Sequence, residues 1–118
     1  MKRIYHLKTC KTCQRILHEL KPGHDIELID IKENPIEEEI LDWLKEKLGS
    51  YEALFSRKAM MYRKLKLHHI ELKDEDYKMY MLSNYTFLKR PFVIYNDRIS
   101  LGTNRDAVIE SKRILGRL

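Results

Sequence analysis

The chain has 118 residues, two cysteines and 23 basic against 18 acidic residues (net charge +5), the size of one domain with core enough to need no disulfide staples. Its opening, MKRIYHLKTC, is too short and polar for a signal peptide, and no apolar run approaches the ~20 residues that cross a bilayer. A soluble, cytoplasmic protein is therefore expected, and the mild basic excess does not by itself indicate nucleic acid.

In chain order, Arg3–Leu7 (RIYHL) reads as a short strand. A polar loop carrying Cys10 follows, then a helix in which Ile16, Leu17 and Leu20 recur at helical spacing up to Pro22-Gly23. Asp25–Ile31 (DIELIDI) alternates apolar and charged residues, as a half-buried strand does. Asn34-Pro35 opens a second helix, whose Ile36, Ile40, Leu41, Leu44 and Leu48 form an apolar stripe ending at Gly49. This β-α-β-α order argues for parallel strands joined by a right-handed crossover. Tyr51–Lys73 has apolar residues at mixed spacing and predicts one or two short helices. Asp74–Tyr85 starts with an acidic first turn and sets Tyr77, Met81 and Leu82 on one helical face. PFVIY and RISLG are strand-like runs around Asn96-Asp97, a pair suited to a tight hairpin turn. The last segment, Asn104–Leu118, places Ala107, Val108, Ile109, Ile114 and Leu115 in a helical pattern behind an Asn104 cap. One α/β domain accounts for residues 1–118. Its expected form is a thioredoxin-like fold with a mixed four-stranded sheet, a helical insertion over about residues 36–85, a β-hairpin and a C-terminal helix.

The only two cysteines, Cys10 and Cys13, stand three apart at the first strand-to-helix junction. In a reducing compartment such a CxxC pair is more often catalytic or redox-sensing than structural. With Cys10 in the loop and Cys13 in the first helical turn, the Cys10 sulfur lies at a helix N-terminus, where unpaired N–H groups and the dipole favour a thiolate. Lys8, Lys11 and Arg15 add positive charge around it. The thiolate is the attacking form, so Cys10 is the expected nucleophile. Cys13 can reach back to resolve a mixed disulfide or a sulfenic acid on Cys10. Two structural readings compete. If both cysteines were small core residues their flanks would be apolar, but LKTCKTCQR is polar. A zinc half-site would need two more ligands. No second CxxC exists and His6, His18, His24, His68 and His69 lack finger-like spacing, so no metal is expected.

Three stretches, IYHLKTCKTCQRIL, ALFSRKAMMYRKL and LKRPFVIYNDRISLG, resemble the arsenate reductase (ArsC) and Spx family, thioredoxin-like proteins with an inserted helical region. The resemblance runs over nearly the whole chain. It implies that Cys10 is the catalytic cysteine and that Arg90 contacts the oxyanion or the active-site thiol region. It also implies that Pro91 is a cis proline opposite the reactive cysteine. Without the resemblance, Pro91 reads equally as the first residue of an edge strand and Arg90 as a surface charge. Lys8, Lys11, Arg15, Arg57 and Arg90 form the expected substrate or oxyanion-binding set. The chain departs from glutaredoxin-linked arsenate reductases, which resemble one another in an arginine directly after the Cys13 position, where this chain has Gln14. They also carry arginines where this chain has Ser56 and, further on, Leu101-Gly102, and usually no cysteine at the Cys13 position. Arsenate carries two negative charges and needs several charge-assisted donors beside a thiolate. In these features the chain is more similar to the Spx-like branch.

The expected function is a thiol-dependent, arsenate reductase-like oxidoreductase acting on an oxyanion or a disulfide. The resemblance implies no bound cofactor and a reductant such as glutathione, glutaredoxin or thioredoxin. The alternative is an Spx-like transcriptional regulator that binds the RNA polymerase α-subunit and is switched by the Cys10–Cys13 disulfide. Arg57–Lys66 (RKAMMYRKLK) interleaves methionines and charge, and reads either as an interaction face or as an ordinary amphipathic helix. Direct nucleic-acid binding is not expected, because Glu46, Glu52, Glu71, Asp74, Glu75 and Asp76 interrupt any basic stripe, and neither is membrane association.

Overall fold

The β-rich runs RIYHL and FVIY, each buried along most of its length, form the centre of a sheet. A computed structural model describes residues 1–118. Its strands are β1 (Lys2–His6), β2 (Glu27–Asp30), β3 (Phe92–Tyr95) and β4 (Arg98–Leu101). Its α-helices are α1 (Lys11–Leu20), α2 (Glu38–Leu48), α3 (Met60–Lys64), α4 (Asp74–Ser83) and α5 (Arg105–Ile114). Single 3₁₀ turns occur at Glu52–Leu54, Leu67–His69 and Tyr85–Phe87. The chain divides into two compact units, Met1–Asn34 with Arg90–Leu118, and Pro35–Lys89. No helix is long and apolar enough to cross a membrane.

The first unit holds the whole sheet, in the order β2-β1-β3-β4. β1 runs parallel to β2 and antiparallel to β3, which pairs antiparallel with β4, so the sheet is mixed as expected. Ile4 and Val93 face each other across β1 and β3 and lie on one face. That face packs with Ile16, Leu17 and Leu20 of α1, with Ile26, and with Ile114 and Leu115 at the end of α5. Burying each such aliphatic side chain contributes about 1.5–3 kcal/mol. On the opposite face the Tyr5 and Phe92 rings stack at 4.3 Å. The hairpin turn uses Asn96 at φ 56°, a left-handed position that asparagine tolerates. Asn104 caps α5 by accepting the Ala107 N–H at 2.8 Å. The Ser100 hydroxyl is buried between β4 and α5, donating to the Ala107 carbonyl at 2.9 Å and lying 2.7 Å from the Ser111 hydroxyl.

In the second unit, Phe55 centres an aromatic cluster with Tyr77 (4.9 Å), Phe87 (5.1 Å) and Tyr62 (6.0 Å). Leu41 and Leu44 of α2 are fully buried. Lys78 of α4 reaches Glu38 at 2.8 Å and Asp42 at 3.0 Å on α2, and the Tyr51 hydroxyl donates to Asp42 at 2.6 Å. The Asp74 carboxylate accepts the N–H groups of Tyr51 and Glu52 at 3.1 Å.

Four expectations change in detail. α2 starts at Glu38, not at Asn34-Pro35, because Asn34 is committed to the turn after β2, donating main-chain N–H and side-chain amide to the Asp30 carbonyl. β2 is shorter than Asp25–Ile31, and Leu28 is half-exposed on this edge strand. Leu82 leaves the α4 core face, since it lies one residue, about 100° of helix, past Met81; Tyr77 and Met81, four apart, stay buried. α5 ends at Ile114, stopped by a Schellman motif in which Arg117 N–H donates to the Lys112 carbonyl and Gly116, at φ 72°, donates to Arg113.

Candidate active site

The end of β1 turns directly into α1 through Leu7–Cys10. The Cys10 N–H closes this turn on the Leu7 carbonyl at 3.0 Å, and the Lys8 N–H donates to Asp30 Oδ1 at 3.3 Å. Cys10 is the N-cap of α1, with extended backbone (φ −92°, ψ 108°), and its carbonyl accepts the Gln14 N–H at 3.0 Å. Its side chain makes no capping bond and is partly exposed, so the sulfur stands at the end of the helix where main-chain N–H groups point outward.

Cys13 is a different thiol. It is fully buried, not disulfide-bonded, and burial pushes it up to about 11. The Leu7 main-chain N–H and the Arg90 charge favour its thiolate, while Cys10 and Asp30 oppose it. The Arg90–Pro91 peptide is cis, and the Pro91 carbonyl accepts the Gly102 N–H at 3.0 Å. Arg90 is half-buried and Pro91 buried.

Of the expected binding set, Lys8, Lys11 and Arg15 are exposed, and with Arg90 they share the first unit with Cys10 and Cys13. Arg57 belongs to the second unit, where its guanidinium donates to Glu52 at 2.6 Å and to the Tyr77 hydroxyl at 2.9 Å and lies over the Tyr77 ring. No group of three or more His, Cys, Asp or Glu residues is arranged to hold a metal ion.

The sequence alone marks no role for His6 or Asp30, and Gln14 stands out in it only as a departure from relatives. His6 is buried, its Nδ1 3.1 Å from Gln14 Nε2, which also donates to the Leu7 carbonyl at 2.9 Å. Burial pushes the His6 imidazole below its usual range, with the Asp30 charge opposing and the Lys8 charge adding to the effect. His6 is the last residue of β1, directly ahead of the turn that carries Cys10, within a run, Ile4–Leu7, that is buried without interruption. The signal available in the sequence was a histidine at the end of the RIYHL strand, directly ahead of the loop with Cys10.

Comparison with known proteins agrees with this architecture. Residues 5–111 match the model of the ArsC family. The chain is 29% identical over 111 residues to the uncharacterized protein YfgD of Escherichia coli K12, covering 92% of this chain and 93% of that one. Among solved structures, it superposes on the arsenate reductase from Vibrio cholerae with a TM-score of 0.72 at 23% identity, covering 99% of this chain and 97% of the other. It also superposes on SACOL0876 from Staphylococcus aureus COL with a TM-score of 0.70 at 28% identity, covering 93% and 97%. A family match across nearly the whole chain, on a mixed sheet with a cysteine at the β1–α1 junction, establishes that the chain belongs to the ArsC family.

Proposed function

We propose that the chain is a thiol-dependent, arsenate reductase-like oxidoreductase in which Cys10 attacks and Cys13 resolves. The observation that carries this reading is the asymmetry of the pair: a partly exposed sulfur at the N-cap of α1, and a buried, protonated one a turn further on.

On a disulfide substrate, the Cys10 thiolate attacks one sulfur, the S–S bond breaks and the other sulfur leaves as a thiolate. Cys13 then loses its proton and attacks Cys10 Sγ, releasing the bound half of the substrate and leaving a Cys10–Cys13 disulfide. Two equivalents of glutathione, or one glutaredoxin or thioredoxin dithiol, return two electrons and two protons. On arsenate, Cys10 forms an S–As bond as one oxygen leaves as water. Attack by Cys13 on Cys10 Sγ then delivers the bonding pair to arsenic, which leaves as arsenite. The charge of the Cys10 thiolate is one of the causes that hold Cys13 protonated. Once Cys10 is tied up in a covalent intermediate that charge is gone, and Cys13 ionises more readily when it is needed.

The test is glutathione-coupled NADPH oxidation with glutathione reductase and glutaredoxin, supplying arsenate or a mixed-disulfide substrate. Turnover abolished by Cys10→Ser, and slowed with accumulation of a mixed disulfide in Cys13→Ser, is the expected result. No turnover on either substrate, together with reductant-sensitive binding to the RNA polymerase α-subunit, would replace the enzyme reading by a thiol switch.

A further inference from the structure

One carbonyl at the end of β1 holds the reactive loop from two sides. The Leu7 oxygen accepts the Cys10 N–H at 3.0 Å and the Gln14 Nε2–H at 2.9 Å. The same Gln14 nitrogen lies 3.1 Å from His6 Nδ1. An amide nitrogen carries two hydrogens, so one goes to each acceptor and neither is left for a substrate. A ring nitrogen that accepts is unprotonated, so His6 carries its proton on Nε2. The Gln14 main-chain N–H meanwhile donates to the Cys10 carbonyl at 3.0 Å. Main chain and side chain of one residue therefore grip the loop ahead of it at Leu7 and at Cys10.

We propose that Gln14 is a positioning residue for the Cys10 thiol, fixing the Leu7–Cys10 turn against the first turn of α1 through the Leu7 carbonyl and His6 Nδ1. The proposal rests on Cys10 being the attacking thiol, and is independent of the substrate attacked. Burial keeps the His6 ring below its usual range; of the two charged groups whose fields reach it, Lys8 in the loop adds to that effect and Asp30 on β2 opposes it.

The experiment uses the full reduced chain as wild type, Gln14→Glu and Gln14→Leu, with thermal melts to confirm that each is folded. Two quantities are read: the ¹⁵N signals of the His6 ring, and the rate at which the Cys10 thiolate displaces iodide from iodoacetamide, followed up to its high-pH plateau. In the wild type, His6 Nδ1 gives the signal of an unprotonated nitrogen. Glutamate at position 14 can only accept, so the imidazole proton moves to Nδ1. The plateau rate falls roughly 10-fold in both variants, the consequence of losing a well-made hydrogen bond that held the loop. The leucine variant separates lost donation from the effect of an added negative charge. An unchanged His6 Nδ1 signal in Gln14→Glu, or a plateau rate within twofold of wild type in both variants, overturns the proposal. Neither readout uses turnover. A chain that reduces no substrate yet gives both responses keeps the role of Gln14 and loses the reductase reading.

Discussion

Cys13 makes alkaline stability a measure of how the redox pair is built. Burial holds this thiol protonated until about pH 11, against 9.0 for a free one. Between those values the unfolded chain has lost its proton and the folded chain has kept it. The unfolded state therefore binds fewer protons there, and stability falls as pH rises. Below pH 9 the contribution is fully present; it is lost as pH climbs through about 11. Integrating the two titrations gives a loss of roughly 2 kcal/mol between pH 8 and pH 11 from this group alone. Cys13→Ala removes the titration, at a cost of about 1–2 kcal/mol at pH 7 for the sulfur missing from a packed site. Urea unfolding with a phosphine reductant, at half-unit steps from pH 7 to pH 11, should show the wild type more stable at neutral pH, with the advantage vanishing or reversing at the alkaline end. A difference that stays flat within about 0.5 kcal/mol across this range would mean that folded Cys13 ionises as freely as in the unfolded chain, and the asymmetry behind the proposed mechanism would go with it.

Other substitutions test the scaffold. Asn104→Ala removes the α5 cap bond to the Ala107 N–H and should lower stability by about 1 kcal/mol in urea unfolding. Ser100→Ala deprives the buried Ser111 hydroxyl and the Ala107 carbonyl of a partner, and stability lowered by about 1–2 kcal/mol in urea unfolding is expected. Leu44→Ala, at a fully buried position of α2, should cost about 2–5 kcal/mol by the same assay. Gly49→Ala forces a side chain into the left-handed C-cap of α2 (φ 95°) and should cost about 1 kcal/mol in thermal unfolding.

The sheet was legible because its strands are short, β-rich and set off by turn residues: RIYHL, FVIY and the Asn96-Asp97 turn each carry a local cause for what they form. The helix ends were less so. Asn34-Pro35 looks like a helix start in the sequence, but the Asp30 carbonyl, which only the folded turn brings near, accepts from both the main chain and the side chain of Asn34 and holds it in the turn after β2. Leu82 looked like core because apolar identity does not say on which side of Met81 the buried face ends. The reactive thiol was visible as a CxxC after a strand. The support behind it was not, since Gln14 and His6 are eight positions apart and meet only when β1 and α1 are side by side. Arg57 illustrates the opposite limit: its charge is obvious in the sequence, while its engagement with Glu52 and Tyr77 is a property of the folded second unit.

The chain order of the two units has a consequence for synthesis on the ribosome. Pro35–Lys89 is continuous in sequence, whereas the first unit is assembled from Met1–Asn34 and Arg90–Leu118. As the polypeptide emerges, β1, α1 and β2 come out first, but β1 cannot gain its second neighbour until β3 follows, after every residue of the other unit has left the exit tunnel. During that interval one edge of β1 is unpaired, beside a strand-to-helix junction that already carries both thiols. Nascent chains arrested before β3 should therefore be the form most open to oxidation and to capture by chaperones, and release of the last hairpin and α5 the event that closes the window.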